Sequence, residues 1–370
     1  MACLRPRSAR LTGLSSIVPS GSSKLPRGTF GRPSDFRSSQ SSLLLANSLY
    51  LPRSNHHSRA VCTLRPKMPS FTANDIPDLR DQVIIVTGGN VGLGFETIRQ
   101  LSRHNPARIY LAARSRDKAE KAIQELQQQN PETTNVTFLE LDLASFDSVK
   151  AAAAEFLKKE SRLDILVNNA GIMMTPEGLT KEGYEIQFGT NVMGPALLTQ
   201  LLLPVIRETA KTNPETRVVM LSSGSHALAP NDIYKFEQIR TTMPNRATTQ
   251  RYTISKLADL HYAKALAERE KQVKIVPVHP GMVATNLHHA STGMFLKPFL
   301  NAAIFFATPV EKGALSQIWA AVSPDAKSGQ YYGPIAKAES GSKLSQDRKL
   351  QESIFGWIQK ELTGHAETID

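Results

Sequence analysis

Apolar, β-branched runs alternate with helical periodicity through the middle of the chain. The first run, Val83-Ile84-Ile85-Val86, enters Thr87-Gly88-Gly89-Asn90-Val91-Gly92-Leu93-Gly94. A helical pattern follows, with Ile98 and Leu101 on its apolar side. Further strands are predicted at 108–113, 136–141, 163–167, 217–221 and 274–278, all rich in Val, Ile and Leu. Helices are predicted over 117–129, about 145–158, 183–208 and from Tyr252 to about 269. The long one carries Asn191 and an expected kink at Gly194-Pro195. Strands alternating with helices of about 10–15 residues predict an α/β fold built on a doubly wound parallel sheet.

A buried strand that breaks at glycine and opens into a helix is a way to hold a pyrophosphate. The glycines let the backbone approach the phosphates, and the helix N-terminus supplies free N–H groups and a positive dipole. The spacing here is Gly88-x-x-x-Gly92-x-Gly94, not the commoner Gly-x-Gly-x-x-Gly. By itself it also fits a strand-to-helix turn with no ligand. The second strand ends at Ala113-Arg114, 20 residues after Gly94. That end of a βαβ unit reaches the adenosine ribose; a carboxylate there suits NAD and an Arg suits a 2′-phosphate. Arg114, with no acid beside it, favours NADP(H) over a reading as a merely solvated cation.

Charge divides the chain. Of the net +11, residues 1–67 carry +10, from nine Arg and two Lys against Asp35 alone. The remainder is near neutral, which removes the argument for nucleic-acid binding by the folded part. The 1–67 stretch is rich in Ser, Arg and Pro and is expected to be a disordered leader. Its composition is that of a transit peptide. An equally weighted reading starts the protein at Met68, so mitochondrial and cytoplasmic locations stand level. Leu43-Leu44-Leu45-Ala46 is too short to span a bilayer, and no transmembrane segment is expected. Both cysteines, Cys3 and Cys62, lie in the leader, which excludes a cysteine-ligated metal in the 68–370 domain. The nine His show no metal-ligand spacing, and no metal is expected.

Taken together, Thr87-Gly88-x-x-x-Gly92-x-Gly94, Asp142, Asn168-Asn169-Ala170-Gly171, Asn191, Ser223, Tyr252-x-x-x-Lys256 and Pro280-Gly281 form an ordered set over about residues 80–290. In this order the chain resembles the short-chain dehydrogenase/reductase family. Ser222-Ser223-Gly224-Ser225-His226, Tyr252-Thr253-Ile254-Ser255-Lys256-Leu257-Ala258 and Thr308–Ala314 look like its retinol-dehydrogenase-like and protochlorophyllide-reductase-like branch. The resemblance implies a Rossmann-type sheet of strand order 3-2-1-4-5-6-7, with Tyr331-Tyr332 in or beside the last strand.

It also implies roles. Tyr252 would be the general acid in carbonyl reduction and the base in oxidation. Lys256, one helical turn on, would favour the tyrosinate and grip the nicotinamide ribose. Ser223, rather than Ser222, would position the substrate oxygen, and Asn191 would hold a water in a proton relay to Lys256. Gly88, Asn90, Gly92, Leu93 and Gly94 would cradle the phosphates. Asp142 would bind the adenine amino group and Leu143 would offer a backbone contact. One of Asn168 and Asn169 would face the cofactor ribose while the other braces the sheet. Val283 and Thr285 would hold the carboxamide and phosphate. His226 is read as a plain loop residue.

Residues 286–308, with Met294, Phe295, Leu296, Phe299 and Leu300, are expected to form an apolar substrate lid. A membrane-touching surface helix is the alternative, weakened by the single Lys297. The expected activity is NADP(H)-dependent interconversion of a carbonyl and an alcohol on a small lipophilic substrate. A cofactor-binding scaffold without turnover and a light-dependent reductase are the rivals. The homo-oligomeric state stays open, because family members vary.

Overall fold

The computed structural model describes residues 71–284 and 307–369. The leader, Thr285 and all but the last two residues of the expected lid lie outside these described residues.

The first half is a repeated strand-and-helix alternation: β1 (Val83–Thr87), α1 (Gly92–Leu101), β2 (Arg108–Ala113), α2 (Arg116–Gln129), β3 (Val136–Glu140), α3 (Phe146–Lys159) and β4 (Ile165–Asn168). Every residue of β1 and β4 is buried, as continuous apolar runs between two helical layers must be. Then follow α4 (Ile186–Ala210), β5 (Arg217–Leu221), α5 (Thr248–Arg269), β6 (Lys274–Val278), α6 (Val310–Val322), β7 (Tyr331–Gly333), β8 (Lys337–Glu339) and α7 (Arg348–Leu362).

The sheet order is β3-β2-β1-β4-β5-β6-β7-β8. Neighbours from β3 to β7 pair in parallel, with Ile85 opposite both Tyr110 and Leu166. The order expected from the resemblance holds and gains an antiparallel edge strand, β8, paired with β7. The turn between them passes through Ile335 and Ala336 at φ 43° and 66°. Non-glycine residues in that region give no hairpin signal, and a three-residue strand shows no alternation. One face of the sheet packs Phe156, Leu197, Ile254 and Phe355 from α3, α4, α5 and α7. The other packs Ile98, Leu126 and Ile318 from α1, α2 and α6.

Helix α4 is the one helix among the described residues long and apolar enough to cross a membrane. Yet 78% of its apolar window is buried in the fold, which is the position of a core helix. Its irregularity falls just before the expected kink: Gly189–Met193 is a π-helical turn, and regular helix resumes at Gly194. A methyl group on Gly194 would overlap the Leu143 carbonyl, so the chain around β3 presses on the helix at this point. Asn191 sits inside the π turn.

Candidate active site

A cavity of about 830 Å³ opens at the carboxyl ends of β1, β2, β4, β5 and β6. One end is bordered by Gly88, Asn90, Gly92 and Leu93 of the glycine turn, by Arg114 after β2, and by Asp142 and Leu143 after β3. The other end is bordered by Ser223, Tyr252 and Lys256, with Ile172, Met173 and Met282 as apolar wall. Asn169 and Val283 also border it.

Gly88 turns at φ 66°, a conformation few side chains adopt. Gly94 does different work from that expected. It does not border the cavity; it lets α1 approach so closely that a methyl there would overlap the Gly88 carbonyl and the Asn169 amide. Arg114 is exposed and forms no ion pair among the described residues. Arg116, two residues on, lies over the Phe138 ring at 4.7 Å and faces Glu140 at 3.6 Å and Glu120 at 3.7 Å. Arg114 is thus the open cation at this end. The Asp142 carboxylate accepts from the Ala144 N–H at 3.0 Å, holding the turn after β3.

The two asparagines after β4 divide the work. Asn168 points away from the cavity, and its amide donates to Thr199 Oγ1 and Met220 Sδ, both at 3.0 Å. Asn169 borders the cavity, donating to the Thr87 carbonyl at 2.8 Å and accepting from Gln317 Nε2 at 3.1 Å. Asn168 is therefore the brace. Asn191 also stands behind the wall. Its Oδ1 accepts from the Ile172 N–H at 2.8 Å, and its amide donates to the Ile172 carbonyl at 3.0 Å and Ser255 Oγ at 2.9 Å. Only Gly171 separates it from Lys256: a methyl on Gly171 would lie 3.2 Å from Asn191 Oδ1 and 3.5 Å from Lys256 Nζ.

The serines differ in the same way. Ser222 Oγ donates to the Lys256 carbonyl at 2.6 Å, so its proton is committed. Ser223 Oγ accepts from the Ser225 N–H at 3.2 Å and the Ser225 hydroxyl at 2.9 Å. With its acceptor positions filled, its own proton is left for the cavity. His226 does not border the cavity. Its Nε2 accepts from the Ser342 N–H at 3.2 Å, so Nδ1 carries the proton and donates to the Ser223 carbonyl at 2.8 Å. Burial holds its pKa below the usual value. His226 is more than a loop residue: it is a neutral brace for the Ser223 turn.

Tyr252 and Lys256 lie one turn apart on α5, both almost fully buried. Lys256 Nζ donates to the Leu221 carbonyl at 2.9 Å and to Asp259 Oδ2 at 2.8 Å. Burial pulls the ammonium down, but Asp259 and the Tyr252 oxygen outweigh it, and the group sits above its ordinary value. Burial pushes Asp259 up to about 6, against the pull of Lys256. Asp259 is a site residue that the motif set omits, as is His279. The latter borders the cavity, takes the Gly281 N–H on Nδ1 at 3.3 Å and faces Glu339 at 3.0 Å through Nε2. An acid three residues after the motif lysine was the available signal for Asp259, and by itself it reads as an ordinary helical ion pair.

The loop along the substrate end is fixed by a buried ion pair. Arg251 donates to Glu185 at 3.0 Å and to the Thr175 carbonyl at 3.3 Å, and Glu185 caps the first turn of α4 through the Phe188 N–H at 2.7 Å. The chain leaves for the undescribed segment and returns at one place, since Val283 and Thr308 form a parallel bridge.

Residues 82–232 match the family model for short chain dehydrogenases. A short-chain dehydrogenase/reductase of Armillaria gallica is 38% identical over 302 residues, 80% of this chain and 94% of the relative. The chain belongs to the short-chain dehydrogenase/reductase family. Retinol dehydrogenase 14 of Mus musculus is 36% identical over 281 residues, 70% of this chain and 80% of that one, which supports the retinol-dehydrogenase-like branch. A crystal structure of an uncharacterized protein from Mycobacterium paratuberculosis aligns with TM-score 0.62 at 26% identity, covering 80% of this chain and 98% of its own. Membership carries an oxidoreductase fold that binds a nicotinamide cofactor.

Proposed function

We propose that the protein is an NADP(H)-dependent oxidoreductase that interconverts a carbonyl and an alcohol on a small lipophilic substrate. The observation that carries this reading is the cavity shared by the glycine turn, the open Arg114 and the Ser223, Tyr252 and Lys256 side chains. The fit to a dinucleotide rests on the same features. The turn is a bare backbone cradle, shaped by Gly88 at φ 66° and by the close approach of α1 that Gly94 allows, and Arg114 after β2 suits a ribose 2′-phosphate. Gly88, Asn90, Gly92 and Leu93 would hold the pyrophosphate, Asp142 and Leu143 the adenine, Asn169 the ribose and Val283 the carboxamide. The cofactor, when bound, supplies or takes the hydride.

The residues of this chain manage the proton. Ser223 donates a hydrogen bond from its free hydroxyl to the substrate oxygen and fixes it beside Tyr252. Tyr252 gives its phenolic proton to that oxygen in reduction and takes it back in oxidation. The Lys256 ammonium stabilises the phenolate left behind. Asn191 holds Ile172 and Ser255 in place around Lys256. The apolar wall at Ile172, Met173 and Met282 suits a lipophilic substrate, as does similarity to a relative named for retinol, a lipophilic alcohol.

The test is Tyr252→Phe in the full chain, assayed with NADPH over a panel of lipophilic aldehydes and ketones. Turnover should fall at least ~100-fold while NADPH binding is kept. Full activity in the variant would overturn the assignment. Tight cofactor binding with no turnover by the wild type on any carbonyl would replace it with a cofactor-binding scaffold.

A further inference from the structure

We infer that Asp259 is a positioning residue for Lys256 and that its charge biases the site toward carbonyl reduction. The inference rests on the proposed roles of Tyr252 and Lys256. These three residues follow at i, i+4 and i+7 on α5, so they share one face of the helix. Asp259 Oδ2 lies 2.8 Å from Lys256 Nζ, and both side chains are buried, at 3% and 6% exposure. The other oxygen, Oδ1, is buried with no hydrogen-bond partner among the described residues. Two of the three ammonium N–H groups are thus fixed, one on Asp259 and one on the Leu221 carbonyl. The lysine is held at a set place along the helix rather than swinging with its ligand.

The carboxylate also cancels much of the field that Lys256 exerts on Tyr252. Alone, a buried ammonium one turn away would favour the phenolate strongly. Paired with Asp259 it is part of a neutral unit. The neutral pair therefore draws on the phenolic proton less than a lone ammonium would, and the protonated phenol is the form that reduction requires and oxidation does not.

Beside Asp259 two further titratable groups stay neutral, while Arg251, next to Tyr252 on α5, is paired with the buried Glu185, and His279 at the cavity faces Glu339. Tyr234, whose hydroxyl lies 2.7 Å from His261 Nδ1, is held well above its ordinary value by burial and by Asp259, and stays neutral. Burial brings His261 down to about 4, so it is neutral too. Lys256 is the countercharge to Asp259 among the described residues.

The experiment is a pH profile of reduction and of alcohol oxidation for the wild type, Asp259→Asn and Asp259→Glu. Asparagine keeps an acceptor for Lys256 and removes the charge; glutamate keeps the charge. At an axial distance of about 10 Å and an effective dielectric of about 20, a unit charge moves such a titration by about one pH unit. In Asp259→Asn the alkaline limb of reduction and the acidic limb of oxidation should both move down by about that amount. At saturating substrate and cofactor, the ratio of kcat for oxidation to kcat for reduction at neutral pH should rise about tenfold. Asp259→Glu should restore the wild-type profile.

Phenolate difference absorbance, with Tyr252→Phe subtracted in each background, reads the same shift without turnover. Should Asp259→Asn fail to fold, Asp259→Ser carries the same test with a smaller neutral side chain. A neutral variant that folds and melts normally, with limbs and phenolate appearance unmoved, overturns the inference. Absent turnover in every protein would refute the enzymatic reading instead, and the absorbance shift would still decide the role of Asp259.

Discussion

Ser222 and Lys256 are joined by a 2.6 Å hydrogen bond from the Ser222 hydroxyl to the Lys256 carbonyl. This bond ties the end of β5 to the helix that presents Tyr252. The adjacent Ser223 makes no such tie and keeps its proton free. Neighbouring serines therefore separate stability from chemistry. Ser222→Ala removes this bond, while the Lys256 carbonyl keeps its helical N–H donor, and should lower the unfolding free energy by about 0.5–1.5 kcal/mol. Ser223→Ala should leave thermal stability near the wild-type value and lower turnover roughly 100-fold or more. Thermal melts run beside kcat measurements check both. Equal losses of stability in the two variants would contradict the division.

Arg114 and Arg116 supply the second contrast. Arg116 is engaged by Phe138, Glu120 and Glu140, whereas Arg114 faces the cavity without an ion pair among the described residues. Arg114→Ala should weaken NADPH binding by roughly 10–100-fold, the worth of a charge-assisted hydrogen bond in a partly solvated place. NADH binding should hardly change, because NADH has no 2′-phosphate. Parallel fluorescence titrations with the two cofactors decide this. Equal weakening for both would remove the argument for NADP(H).

His261 links acid stability to the core behind the site. Its Nδ1 faces the Tyr234 hydroxyl at 2.7 Å and its Nε2 faces the Leu344 carbonyl at 3.0 Å. Burial lowers it from 6.5 to about 4. Between those values the unfolded chain binds a proton that the folded chain does not, so folding stability rises with pH across the window. That contribution is complete above pH 6.5 and is lost as pH falls through about 4. Asp259, raised to about 6, gives the opposite slope and partly masks it. His261→Gln keeps a donor for Leu344 and removes the titration. Its stability, measured by urea unfolding at several pH values, should fall less steeply than that of the wild type between pH 6.5 and 4. The full effect of one such group is about 3 kcal/mol.

What could be read from the sequence follows from periodicity. The Val83–Thr87 run, its glycine turn and the Tyr252-Lys256 pair are local patterns whose spacing carries their meaning. Alternation could not separate Ser222 from Ser223, because both border the cavity and only their hydrogen bonds differ. Nor could adjacency say that Asn168 turns to Thr199 and Met220 while Asn169 turns to the glycine turn. Asp259 reads from sequence as an ordinary i+3 ion pair of a solvated helix. Its significance appears only when tertiary packing closes over α5 and removes the water. The strand β8 is hidden for another reason: its turn uses Ile335 and Ala336 at positive φ, against local preference.

The cover over α5 is the least legible part of the fold and the easiest to test. Ile354, Phe355, Ile358 and Leu362 recur at helical spacing, but spacing does not say which surface they meet. Phe355 stacks on Tyr262 of α5 with ring centroids 5.7 Å apart, and the Arg269 guanidinium lies 4.2 Å from the centre of the same ring. Trp357, on the adjoining side of α7, stacks on Phe236 at 5.1 Å. Phe355 is almost wholly buried, so truncation leaves a cavity as well as lost transfer free energy. Phe355→Ala should cost about 3–5 kcal/mol, read as a lower urea midpoint with an unchanged slope. Because Tyr262 lies only two turns past Lys256 on the same helix, the variant that remains folded should also lose part of its turnover. A midpoint unchanged within error would mean that α7 is a decoration on α5 rather than part of the packed layer over it.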